Sequence, residues 1–134
     1  MKTPWEIYTI KPFKDCRGSL KKVIMKSQIA NEEELEEAYL LYSNSKSIRG
    51  NHYHKKTIEY FTVVSGTAKF VLKDLKTGVV EEVEVSESDN LVLKIPPYVV
   101  HAFRNEKEKT LVILAISTRE YRKGDTDSYE QKIL

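Results

Sequence analysis

One cysteine in 134 residues, Cys16, rules out an intrachain disulfide framework, and no histidine–cysteine cluster surrounds it to make a zinc finger. It reads as a reduced thiol. Nowhere does the chain offer the ~18 consecutive apolar residues that a membrane span requires, and Met1 to Ile10 lack an apolar run of signal-peptide length. These absences point to the cytoplasm and away from membranes. Charge of one sign is lacking too. The 22 basic and 20 acidic residues leave a formal +2, too little for the broad basic face that nucleic acid or an acidic membrane would need. A local anion site stays open.

Helical segments are scarce. Only Asn31 to Glu37, with Asn31 as a cap and acidic residues in the first turn, reads as a short helix. No internal repeat, low-complexity tract or linker interrupts the chain. At 40% apolar and 31% charged residues, it has the balance of one globular domain spanning 1–134, long enough to bury a core.

What the chain has is β-strand pattern. Trp5 to Phe13 and Leu20 to Met25 flank a turn at Lys14 to Gly18. Short β-rich runs follow at Ala38 to Ser43, Thr57 to Val64, Ala68 to Asp74, Val79 to Val85, Asn90 to Ile95 and Thr110 to Ser117. Gly66, Lys76-Thr77-Gly78 and Ser86 to Asn90 fall where hairpins would turn. Closely spaced short strands predict a sandwich or barrel. The acidic stretch of Asp74, Glu81, Glu82, Glu84 and Glu87 reads as the solvated side of a hairpin. The polar tail, Arg119 to Leu134, reads as loosely packed, and Tyr53, Tyr60, Phe61, Tyr98 and Phe103 as core or barrel lining.

All three histidines of the chain fall in two short segments. Strand geometry points His52 and His54 of His52-Tyr53-His54 to one face. Glu59 and Gly66 follow, and His101 stands after Pro96-Pro97 and before Asn105. Three imidazoles and a carboxylate can carry proton chemistry or hold zinc, iron, manganese or nickel.

These residues resemble the two motifs of the cupin superfamily: His52, His54, Glu59 and Gly66 in the first, and Pro96, His101 and Asn105 in the second, with Asn90 and Tyr98 where glycines usually stand. The resemblance implies an all-β fold, a double-stranded β-helix or jelly-roll barrel with at most one short helix. Asp15-x-Arg17-Gly18, Ser47 to Tyr53 and Ile95-Pro96-Pro97-x-x-x-His101-x-Phe103 are similar to the nucleotide-sugar branch, which holds dTDP-4-dehydrorhamnose 3,5-epimerases and dTDP-4-keto-6-deoxyglucose 3,4-ketoisomerases. The Arg49-Gly50-x-His52-x-His54 segment resembles the ketoisomerases. Epimerases usually have glutamine where His54 stands, and their catalytic tyrosine is replaced here by Leu111 to Leu114. The HxH-x4-Glu spacing is also similar to the zinc-bearing cupin domain of some capsular-polysaccharide sugar reductases.

The resemblance implies an isomerase or epimerase that removes a proton beside the ketone of a nucleotide-linked 4-keto-6-deoxy sugar. His52 is the expected base, since a neutral imidazole with a pKa near ~6.5 can take that proton at cellular pH. His54, or a bound metal, would stabilise the enolate. Arg49 and Arg17 would hold the diphosphate, with Tyr98 and His101 as further substrate contacts. No cofactor is required on this reading, although His52, His54, Glu59 and His101 form a candidate set for a divalent metal. A homodimer is implied. The alternatives are a non-enzymatic metal- or sugar-binding cupin and a metal-dependent oxidoreductase.

Overall fold

The computed structural model describes residues 2–29 and 34–134. Among them are twelve strands and one 3-10 turn, Lys26–Gln28. In chain order the strands are β1 (Glu6–Thr9), β2 (Phe13–Asp15), β3 (Gly18–Leu20), β4 (Glu37–Ser43), β5 (Ile48–Tyr53), β6 (Glu59–Ser65), β7 (Thr67–Asp74), β8 (Val80–Ser86), β9 (Leu91–Ile95), β10 (Val99–Asn105), β11 (Leu111–Ser117) and β12 (Tyr129–Glu130).

Alternation along these strands fixes the layers. In β11, Leu111, Ile113, Ala115 and Ser117 are buried while the residues between them are half-buried, as period-two geometry requires of a sheet with one face on a core. Two five-stranded antiparallel sheets result, one in the order β1-β9-β6-β11-β4 and the other β12-β5-β10-β7-β8. Between them lie Phe61, Phe70, Leu72, Leu93, Ile95, Phe103 and Ile113, each burial contributing roughly 1.5–3 kcal/mol. This is the jelly-roll barrel that the cupin motifs imply.

The expected helix splits across the described boundary. Asn31 to Glu33 lie outside the described residues, Glu34 to Glu36 carry no regular structure, and Glu37 already opens β4. The acidic stretch also divides. Glu82 pairs with Lys69 on the exposed face of the β7–β8 ribbon, but Asp74 is buried and caps the turn, accepting hydrogen bonds from the Lys76 amide and the Thr77 hydroxyl. A carboxylate opening a turn satisfies backbone donors that the strands leave over, which outweighs its hydration.

One glycine sets the placement of the histidines. Gly50 has φ +93, and a Cβ there would sit 2.6 Å from the His101 carbonyl oxygen. Only glycine lets β5 approach β10 this closely, at a register shift between His101 and Ala102, and that approach sets His52 directly opposite His101.

Candidate functional site

At the barrel end where β4, β6, β11 and β5 meet, a pocket of about 370 Å³ opens, lined by Tyr39, His52, His54, Thr57, Glu59 and Arg119 among others. The size suits a small-molecule ligand. His52 comes from β5, His54 from the turn just after it, Glu59 from the first residue of β6, and His101 from β10. The imidazole centroids form a triangle of 4.7, 5.1 and 5.3 Å, and the His101 ring lies 5.9 Å from Phe61, so the site rests directly on the aromatic core.

Glu59 is the hub. One of its oxygens lies 2.6 Å from His54 Nε2, and the other accepts the Tyr39 hydroxyl at 2.6 Å. His54 Nδ1–H donates to the Asp127 carbonyl at 2.7 Å. With Nδ1 committed as a donor, the His54–Glu59 contact is an imidazolium on a carboxylate. Burial alone would lower the His54 pKa, but the hydrogen bond and charge of Glu59, with Asp127 behind it, raise it above 6.5. Burial alone would raise Glu59, but the imidazoles of His101 and His54 hold its carboxyl well below the usual range. Tyr39 is pushed up by burial first and then by Glu59, so it stays a phenol and anchors the carboxylate.

His52 is different. Burial, then the neighbouring His101 and His54, push its pKa down to about 4, so the ring is unprotonated at neutral pH. His101, only 2% exposed, donates Nδ1–H to the Val99 carbonyl at 3.1 Å. Its Nε2 lies 3.3 Å from Glu59, without the geometry of a hydrogen bond, and is buried with no other partner.

That unpartnered buried nitrogen tests the cluster for a metal. The ligating atoms of His52, His54, Glu59 and His101 all lie within 4.8 Å of one another, and three imidazoles with one carboxylate suit a first-row divalent ion. The donor set fits. At 2.6 Å, however, His54 and Glu59 share a proton that a metal would have to displace.

The structure does not bring the other expected contacts here. Arg17 sits on the β2–β3 hairpin, paired with Asp15 and 86% exposed. Arg49 is tied to the Ser43 hydroxyl and the Tyr42 carbonyl, and does not line the pocket. Tyr98 takes φ +64 and stacks on Tyr53, with centroids 6.4 Å apart. Its backbone N–H donates to the His54 carbonyl at 2.8 Å, so its contribution is to the turn.

Sequence reasoning missed Tyr39, Thr57, Arg119 and Asp127. The tail is largely exposed but is anchored at the buried Asp127, and part of it walls the site. Arg119, Glu120, Tyr121, Thr126 and Ser128 all line the pocket, with the Arg119 guanidinium paired to Asp125 and its Nε buried without a partner. Nothing in the tail's polar composition marked it as a wall.

Residues 13–129 match the family model described as polysaccharide biosynthesis C-terminal domain. No curated protein sequence matches the chain. Several solved structures share its fold. The sugar 3,4-ketoisomerase QdtA from Thermoanaerobacterium thermosaccharolyticum, in complex with TDP, is 22% identical with a TM-score of 0.81, over 98% of this chain and 90% of that one. A 3,4-ketoisomerase from Helicobacter canadensis is 20% identical, TM-score 0.82, over 97% and 92%. A dTDP-4-dehydrorhamnose 3,5-epimerase from Bacillus anthracis, with TDP and PPi bound, is 16% identical, TM-score 0.82, over 95% and 78%.

Proposed function

The chain belongs to the polysaccharide biosynthesis C-terminal domain family, and from that premise we propose that it is a sugar-nucleotide isomerase or epimerase acting beside the ketone of a nucleotide-linked 4-keto-6-deoxy sugar. The observation that carries the reading is His52, an unprotonated imidazole at the wall of a ligand-sized pocket, beside a charged His54–Glu59 couple.

His52 takes the proton from the carbon next to the ketone, and the electron pair moves into the enolate. Both N–H groups of His54 are engaged, by Asp127 and Glu59, so the imidazolium stabilises the negative oxygen by its charge across the pocket and not by a hydrogen bond. Because its environment holds the His52 pKa near about 4, the proton it has taken is readily given up again, to the neighbouring carbon on the same face. The hydroxyl proton leaves the oxygen on C3 and one is returned to the oxygen on C4, exchanged through the solvent that the open pocket admits. The net result moves the ketone by one carbon, with every proton accounted for. One base on one face favours this 3,4-ketoisomerisation over inversion.

His52, His54, Glu59 and His101 would also hold a divalent metal, which when bound would supply a Lewis acid for the ketone oxygen. We place the enzyme in the cytoplasm as a homodimer. In support, the β2–β3 hairpin leaves Phe13 and Leu20 61% and 55% exposed, and β4 leaves Leu40 and Tyr42 uncovered. A second copy would cover such surfaces and offers Arg17 a pocket to reach.

The test is dTDP-4-keto-6-deoxyglucose in deuterated water with chelator-treated protein, followed by NMR. Migration of the ketone from C4 to C3, with solvent deuterium arriving at C4 to the extent that the proton on His52 exchanges, and all of it abolished in His52→Asn, is the expected result. Deuterium at C3 without migration would make the protein an epimerase. Neither migration nor exchange, with or without zinc, would sink the reading.

A further inference from the structure

The residue that orients His54 comes from far along the chain. His54 lies one position beyond the end of β5, and residues 54–58 belong to no strand, so no ladder holds the ring. The segment that passes over them is the tail. There Asp127 is 4% exposed, and its carboxylate accepts four hydrogen bonds: the amides of Lys55 at 3.1 Å, Lys56 at 2.9 Å and Thr57 at 2.9 Å, and the Thr57 hydroxyl at 2.7 Å. From the same residue, the backbone carbonyl accepts His54 Nδ1–H at 2.7 Å.

The two halves of Asp127 do different things. Its carboxylate pins the tail to the 55–57 turn and satisfies three backbone donors that have no strand partner. With the tail pinned, its carbonyl stands where it fixes which way the imidazole faces. Nδ1 goes to the carbonyl, so Nε2 goes to Glu59. Aspartate suits the position in three ways. At φ +49 its backbone is left-handed, which Asp tolerates better than most residues. Its two oxygens serve four donors, where an asparagine would turn an NH2 toward one of them. And its side chain is short enough to reach back over the turn.

We infer that Asp127 is the positioning residue for His54: its carboxylate locks the tail onto the 55–57 turn so that its own carbonyl holds the His54 ring in the orientation that meets Glu59. The inference deepens the isomerase reading and, for its kinetic consequence, rests on it.

Uniformly 15N-labelled protein at neutral pH gives a test that needs no substrate. In the wild type, His54 Nδ1–H should appear as an imidazole proton signal protected from solvent exchange. In Asp127→Gly, which keeps the left-handed backbone but removes the carboxylate, the signal should vanish while the barrel amides stay dispersed. In Asp127→Asn it should exchange at least tenfold faster, and this variant carries the test if the glycine variant does not fold.

A control loosens the same tail elsewhere. Asn51 binds the amides of Ile133 and Leu134 through its side chain without touching a histidine. Asn51→Gly should keep the ring signal. With a turned-over substrate, kcat of Asp127→Gly should drop on the order of 10²-fold, as misplacement of a reacting group by about 1 Å does, with KM within about twofold. A ring signal unchanged in both Asp127 variants would overturn the inference. So would its loss in Asn51→Gly as well, which would make the tail as a whole, rather than Asp127, the cause. A protein inactive on every sugar nucleotide but showing the expected ring signals would refute the isomerase reading and leave the positioning role standing.

Discussion

Glu59 decides the protonation of its neighbours. Both of its oxygens are engaged, by His54 and by Tyr39, and its own pKa is held well below the usual range. The charge it keeps raises His54, while His52, where burial and the neighbouring His101 and His54 outweigh the more distant Glu59, goes down to about 4. A catalyst needing His52 neutral and His54 charged is then active between two limits. As pH falls through about 4, His52 binds a proton and the rate is lost. As pH rises through the raised value of His54, above 6.5, the imidazolium is lost. The kcat/KM profile of the metal-free protein should therefore be bell-shaped, with its acid limb far below an ordinary imidazole. In Glu59→Gln the alkaline limb should move down, because neutral glutamine removes the charge and leaves a single acceptor oxygen for which His54 and Tyr39 compete. The maximum should fall on the order of 10²-fold with misplacement of His54. An alkaline limb that stays put in the glutamine variant would show that another group sets it.

At the scale of elements, the β5–β10 pair matters most, because their register places His52 against His101. Gly50→Ala would put a methyl 2.6 Å from the His101 carbonyl at a φ of +93. The expected cost is roughly 1–3 kcal/mol from the backbone alone, with the strands forced apart. It should appear as a lower denaturant midpoint together with loss of activity. Retained activity at reduced stability would mean that the register absorbs the methyl. Strands such as β4, β7, β9 and β11 were legible beforehand because alternation in a one-sided sheet is a direct consequence of burial. β10 escaped notice as a strand behind its histidine motif. Asp74 was misread because a turn-capping carboxylate and a solvated one look alike in a charged stretch. Asn105, matched only as a motif position, proves to be a buried bracket whose amide reaches the carbonyls of Ser43 and Lys109.

At the scale of the whole molecule, the pocket joins three stretches distant in sequence: β4, the β5–β6 region, and the end of β11 with the tail that follows it. The histidines could be found because the chain holds only three, in recognisable spacing. Tyr39, Arg119 and Asp127 could not, since their roles depend on which sheet faces which and on where the tail returns. That assembly also ties the stability of the fold to pH. In the unfolded chain His52 titrates near its ordinary 6.5, but in the folded protein only near about 4. Between those values the unfolded state binds the extra proton, so stability falls as pH drops from 6.5 toward 4. Glu59, lowered from 4.5, contributes stability that is present above that value and is lost as pH falls through its folded pKa. His54, raised from 6.5, contributes stability that is present below 6.5 and is lost as pH climbs through its folded value. The melting temperature should thus peak near pH 6.5 and begin its acid decline well above the carboxylate range. In His52→Asn the decline between pH 6.5 and 4.5 should flatten while the steeper loss below 4.5 remains. If the wild-type and variant curves keep the same slope across that window, the fold does not hold His52 neutral, and the base proposed for the reaction goes with it.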